Sequence, residues 1–247
     1  MKRKLEICCY TAESASVAAK AGADRIELCD NYNEGGTTPS FGTIACCLEK
    51  VQIPVNVIVR PRGGDFLYTD NEFEIVKRDV LKIKELGANG IVAGFLKANG
   101  EIDLQKTKVI VELAYPLEFT FHRAFDMCND PLKALDDLIR IGVTRILTSG
   151  AKNKAMDGIE LICDLVGRAE DKIIIMPGSG VDEKNLAEII KKTQAFEFHS
   201  SAKTFEKSRM SFINTDIYMG GVKKIDESLK VTVDSEKVKK MAAILKS

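Results

Sequence analysis

The sequence predicts an α/β fold of the TIM (β/α)8 barrel class, a single domain over 1–247. Three observations predict it. Short β-branched runs alternate with amphipathic helical stretches, eight such units fit into about 250 residues, and no glycine fingerprint of a doubly wound open sheet follows the first run. A chain of 247 residues is within the range that α/β barrels reach as one domain.

The elements follow in order. LEICC (5–9) is the first strand and leads into a helix after Thr11. RIELC (25–29) precedes a helix opened by Pro39 and Ser40, and VNVIVR (55–60) leads through a Gly-rich turn into a long charged helix from about Asn71. GIVAGFL (90–96) is followed by a helix from Asp103, and EFTFHR (118–123) by one capped near Asp130 and Pro131. RILTS (145–149) precedes a helix near Ala155, IIIMP (173–177) one near Glu183, and FEFHS (196–200) is the last strand. A final helix runs from about Ser235. AGAD, LGAN and IGVT place glycine where helices end, since glycine adopts the left-handed C-cap conformation without strain. The polar stretch 205–234 reads as an excursion between the eighth strand and the last helix, too short for a core of its own.

Composition narrows the function classes. Thirty-six Lys and Arg balance thirty-six Asp and Glu, which argues against nucleic acid or an anionic membrane as partner. No apolar run is long enough to span a bilayer, and MKRKLEICCY lacks the apolar region of a signal peptide, so a cytoplasmic location is expected. The seven cysteines include adjacent pairs at 8–9 and 46–47 and no C-x-x-C spacing. They read as reduced thiols, most of them buried as small hydrophobes.

One face of a barrel strand packs on helices and must be apolar, while the other faces the lumen. In FTFHR, Phe119 and Phe121 form the helix-facing set, which turns Thr120 and His122 inward; in FEFH the same parity turns Glu197 and His199 inward. LEIC sends Glu6 and Cys8 in, RIELC sends Arg25, Glu27 and Cys29 in, and VNVIVR sends Asn56, Ile58 and Arg60 in. Structural barrel interiors are layers of Val, Ile and Leu. A buried charge left unpaired costs on the order of 2–5 kcal/mol, so these groups must pair or meet a ligand. Two arrangements answer that demand. One is an internal network in which Glu6, Glu27 and Glu197 hold Arg25 and Arg60; the other is a ligand pocket at the carboxyl ends of the strands.

The loops favour the pocket. RPRGGDF (60–66) sets Arg60 and Arg62 beside a Gly-Gly turn, an arrangement suited to gripping an anion. MPGSG, with Gly178, Ser179 and Gly180, and HSSA, with Ser200, follow strands seven and eight, the usual phosphate cradle of such barrels. His122 and His199, the chain's two histidines, are candidate general acids or bases near neutral pH, with Arg123 and Asp126 at the rim. No lysine falls inside a strand at the mouth, which disfavours Schiff-base chemistry.

EICC, RIELC…EGGTTPSFG, VIVRPRGGDFLYT, TFHRAFD, RILTSG, MPGSGV and EFHSSA, in order across nearly the whole chain, resemble the CutC copper homeostasis family. The resemblance implies a cytoplasmic TIM barrel, self-associating as a homodimer or higher homo-oligomer, with a proposed role in copper handling. By it, Cys8 and Cys29 match the two strand cysteines for which copper binding has been proposed. Glu6, Glu27, Arg60, His122, Arg123, Asp126 and His199 match the polar cluster at the barrel mouth. The chain departs from the family at Ser179, more often Gly, and at Lys203, where Arg is common. Two inward thiolates suit copper(I), a soft ion that accepts low coordination. The same lumen also suits an enzyme acting by acid/base chemistry on a small phosphorylated or carboxylated metabolite, or a non-catalytic protein binding such an anion.

Overall fold

The computed structural model describes residues 2–214, 216, 217, 226 and 228–246. Strands β1 (Lys4–Cys9), β2 (Arg25–Leu28), β3 (Val55–Ile58), β4 (Gly90–Ala93), β5 (Glu118–Phe121), β6 (Arg145–Thr148), β7 (Ile174–Pro177) and β8 (Glu197–Ser200) form one parallel sheet. Its order is β7-β6-β5-β4-β3-β2-β1-β8, and β7 also contacts β8, so the sheet curls into a nearly closed barrel. Around it run α1 (Ala12–Lys20), α2 (Phe41–Lys50), α3 (Asp70–Glu85), α4 (Leu104–Ala114), α5 (Pro131–Arg140), α6 (Ile159–Ala169), α7 (Leu186–Thr193) and α8 (Ser235–Lys246). This is the expected TIM barrel.

The apolar phase of each strand builds the main core. Leu5, Ile7, Ile26, Leu28, Phe119, Phe121, Ile146 and Phe198 are buried in one cluster with the inner stripes of the helices, including Val76, Val80 and Ile83 of α3. A separate small cluster of Cys8, Cys29, Ile58 and Val92, with Tyr10 against it, lies inside the barrel. The polar phase of the strands therefore faces the lumen, as the alternation predicts.

Local signals account for the element boundaries. Thr11, Ser40, Asp103 and Asp130 each accept a hydrogen bond from the third residue of their helix, and Thr69 with Glu72 forms a reciprocal capping box on α3. The helices expected near Ala155 and Glu183 begin later, at Ile159 and Leu186, and neither has a side-chain cap. The preceding residues are tied elsewhere: Ala155 N–H donates to Ser179 O at 2.9 Å, and Asp182 Oδ1 accepts from the N–H groups of Lys184 and Asn185. Strands β2, β3 and β5 end before Cys29, Arg60 and His122, which sit just past them at the carboxyl end of the barrel.

The excursion at 205–234 is tied back by a hairpin at its ends. Strands β9 (Lys203–Lys207) and β10 (Leu229–Val233) pair antiparallel, with Phe205 opposite Val231, and Val233 is buried. Residues 215, 218–225 and 227 of that stretch lie outside the described residues.

Candidate functional site

Charged side chains from five strands meet in the lower lumen. Arg25 of β2 donates through Nε to Glu6 Oε2 at 2.5 Å and through Nη2 to Glu197 Oε2 at 2.6 Å. Arg145 of β6 donates to the same Glu197 oxygen, to Thr120 Oγ1 at 3.0 Å and to Glu118 Oε2 at 3.0 Å. Strand β7 separates β6 from β8, so the Arg145–Glu197 pair passes in front of one strand to join next-but-one neighbours of the barrel. Burial works to raise both carboxyls. At Glu6 the Arg25 guanidinium overrides it, at Glu197 Arg145 and Arg25 do, and both stay below the usual carboxylate range.

This network differs from the expected one. Arg145 takes the place expected of Arg60, and Glu27 is not part of it. The register explains the exchange. Asn56 pairs with Glu27, which sets Arg60 four residues further toward the carboxyl end, beyond reach of the lower layer. Arg145 pairs with Thr120 at the start of its strand and lies within that layer.

One layer higher, Cys8 Sγ and Cys29 Sγ lie 3.6 Å apart. Glu27 completes a buried set whose donor atoms all fall within 4.8 Å of one another. His199 joins it: Nδ1 lies 2.8 Å from Glu6 Oε1, and Nε2 lies 3.7 Å from Glu27 Oε2. Parallel register produces this meeting, since Cys8 opposes Glu27 on one side of β1 and Glu6 opposes His199 on the other. The Cys29 thiol, and then His199, hold Cys8 well below the ordinary thiol range against the effect of burial. Burial, then Cys8, pushes Cys29 well up, and the same two causes in the same order raise Glu27. Burial opposes charge on His199, but Glu27, Cys8 and Glu6 together hold it protonated well above its ordinary value. Glu6 and Glu197 thus share one buried charge network with Arg25, Arg145 and His199, and Glu118 joins it through Arg145.

Above this group opens a cavity of about 830 Å³, walled by Cys8, Glu27, Arg60, Phe66, His122 and His199. Arg60 is buried, and its guanidinium donates to the backbone carbonyls of Glu34, Gly36 and Gly64 at 2.6–2.8 Å. It thereby clamps the loops after β2 and β3. His122 caps a short 3-10 turn over Arg123–Met127, its Nδ1 accepting from Ala124 N–H at 3.2 Å. Gly94 makes room for that ring, since a Cβ there would stand 2.7 Å from Nδ1.

The rim is organised by Asp126. Its carboxylate accepts from Arg123 Nε, from the Thr148 and Ser149 hydroxyls, and from the N–H groups of Ser149 and Ala151. So many donors fill its lone pairs, and the residue staples the loop after β6. Ser200 Oγ donates to Val181 O at 2.6 Å, and Ser179 Oγ to Asn153 O at 2.7 Å. Ser179 has φ +70°, in the left-handed region that favours glycine.

Of the residues singled out from the sequence, Cys8, Glu27, Arg60, His122, Arg123, Asp126, Ser179, Gly180, His199 and Ser200 line the cavity. Cys29 sits behind Cys8, and Glu6 lies below, in the ion-pair layer. Gly178 packs under the mouth, where a Cβ would stand 2.4 Å from Leu147. Arg62 is not brought to the cavity: Glu72, Asp65 and the Leu67 carbonyl take its donors, and its guanidinium lies 5.2 Å from the Tyr68 ring centre. A carboxylate on the following helix competes successfully for that charge. Sequence reasoning missed Arg145 and Phe66. The parity of RILT, with Ile146 facing the helices, carried the signal for Arg145; a lone loop phenylalanine carries none.

The CutC family model matches residues 3–204. The copper homeostasis protein cutC homolog of Homo sapiens is 46% identical over 244 residues, covering 98% of this chain and 89% of the human protein. The family protein CutC of Parabacteroides distasonis is 47% identical over 240 residues, covering 97% of this chain and 99% of its own. The solved CutC structure from Streptococcus agalactiae superposes with TM-score 0.76 at 36% identity, over 81% of this chain and 98% of that one. Phosphoribosyl anthranilate isomerase from Thermotoga maritima superposes with TM-score 0.60 at 12% identity, over 100% of this chain and 99% of its own, and shares the fold alone.

Proposed function

The chain belongs to the CutC family, and on that premise we propose that it acts in copper homeostasis by binding copper(I) through Cys8 and Cys29. One observation carries the reading: two buried sulfurs 3.6 Å apart, one of them held toward the thiolate. The donor set fits the ion. Soft sulfurs in an apolar wall of Ile58 and Val92 suit a soft cation of low coordination number, and Glu27 and His199 stand beside them. Charge supports the same choice. A monovalent ion that takes the place of the Cys29 proton leaves the net charge of the buried group unchanged.

The reading includes a cytoplasmic location and self-association. Seven unpaired thiols suit a reducing compartment, and exposed Phe205, Met210 and Phe212 offer apolar surface to a second copy. Titration with copper(I) against a competing chelator tests the ligand assignment. The wild type is expected to bind one ion with release of about one proton. The Cys8→Ser/Cys29→Ser variant is expected to lose that binding, and unchanged affinity in it refutes the assignment.

A further inference from the structure

The cavity is much larger than a copper ion between two sulfurs requires. Its volume of about 830 Å³ lies in the range of metabolite sites, about 300–1,000 Å³. Cys8 forms only part of its wall, and Cys29 is not in it. On residues of this wall two buried donors, His122 Nε2 and Arg60 Nε, lack a partner in good hydrogen-bond geometry, although the Arg60 side chain lies against the Tyr68 hydroxyl.

His122 has a defined role in hydrogen bonding. Because Nδ1 accepts from the Ala124 N–H, the ring proton of the neutral imidazole sits on Nε2, which can only donate. Burial, and then the Arg60 charge, keep that ring neutral, its pKa pushed down to about 3. Arg60 is always cationic, yet its partners are three backbone carbonyls and the neutral Tyr68 hydroxyl. Among the described residues no carboxylate lies within ion-pairing distance of it. A buried cation without a counter-charge is costly and calls for an anion.

The other acidic groups on the wall do not meet that demand. Asp126 is filled by its own donors, Asp182 accepts from the N–H groups of Lys184 and Asn185, and Glu27 faces the thiols. Glu34 is exposed on the rim. Phe66 stands against both donors, its ring 5.0 Å from the His122 ring and 5.1 Å from Arg60 Cζ. With Ile58 and Leu147 it gives the cavity an apolar wall for a carbon skeleton.

We propose that this cavity binds a small organic oxyanion, whose carboxylate or phosphate accepts hydrogen bonds from His122 Nε2–H and Arg60 Nε–H. The two donors are not the proposed copper ligands, although Cys8 forms part of the same wall. Admission of the anion turns the Phe66 side chain aside, while its backbone stays tied by the hydrogen bond from Leu96 N–H to its carbonyl.

The chain's two histidines make the test direct, because imidazole nitrogen NMR on the ¹⁵N-labelled protein yields only two ring systems. Malonate serves as the carboxylate probe and glycerol 3-phosphate as the phosphate probe, each titrated at neutral pH. At least one is expected to shift the His122 Nε2 signal saturably, and the stronger of the two identifies the class. His122→Asn keeps the cap and removes the Nε2 donor, and is expected to weaken binding at least tenfold. The Cys8→Ser/Cys29→Ser variant is expected to retain anion binding while losing copper(I), so the two readings fail separately. Absence of a saturable shift with both probes in the wild-type protein overturns the proposal without reliance on any variant. Undiminished affinity in His122→Asn overturns it as well.

Discussion

Replacing Arg145 with methionine removes the cation that joins β6 to Glu197 of β8 in the lower lumen. The side chain is fully buried and donates to Glu197, Thr120 and Glu118. Breaking a buried ion pair from one side costs about 3–5 kcal/mol, mostly because the partner's charge is stranded. Glu197 keeps its 2.6 Å contact with Arg25, which places the expected loss near the lower end, about 3 kcal/mol. That is a large part of the roughly 5–15 kcal/mol that holds a typical domain. The assay is urea unfolding at neutral pH, followed by circular dichroism. The double variant Arg145→Met/Glu197→Gln removes the stranded charge and is expected to recover at least about 1 kcal/mol.

Acid adds an independent check. Glu197 has a lowered folded-state pKa, so its stabilisation is present above the unfolded carboxyl value of 4.5 and is lost as pH falls through the folded value. Without Arg145 that lowering shrinks, so the gap between wild type and Arg145→Met narrows in acid. A loss below about 1 kcal/mol at neutral pH refutes the reasoning, as does a gap that widens on acidification.

Two further outcomes follow from the mouth of the barrel. His122 has a folded pKa of about 3 against an ordinary 6.5, so the unfolded chain takes up a proton that the folded state refuses. Below pH 6.5 this penalises the wild type only, and between pH 6.5 and about 5 the His122→Asn variant gains on it by about 1.5 kcal/mol in unfolding free energy. A constant difference across that window contradicts the assignment of a neutral buried ring. Gly94→Ala forces a Cβ to within 2.7 Å of His122 Nδ1 and 2.9 Å of Ala124 Cβ, and is expected to cost about 1–3 kcal/mol in thermal unfolding. Gly167→Ala, in α6 with nothing within 4 Å, is expected instead to stabilise by about 0.5–1 kcal/mol. Equal effects of the two substitutions remove the steric argument.

The alternation of apolar residues determined much of this protein on its own. Phe119 and Phe121 gave His122 its inward direction, and Leu5 with Ile7 did the same for Glu6 and Cys8, because side chains of a strand alternate with a period of two. Eight such runs separated by capped helices were enough for the barrel. Helix starts with a capping side chain, such as Thr69, were legible; those of α6 and α7, which have none, were placed several residues early.

What parity cannot supply is height along the barrel and the identity of the neighbour across it. Those depend on the stagger between strands distant in sequence. Glu6 meets His199 because β1 closes on β8 in that register, and Glu197 meets Arg145 because both side chains reach past β7 into the same layer of the lumen. The same stagger raised Arg60 out of the ion-pair layer and left it with backbone carbonyls, while Glu72 drew Arg62 away from the mouth. Sequence set which groups face the lumen. Only barrel closure decided which charges neutralise each other and which remain for a ligand, since pairing energy depends on separations that no local pattern encodes.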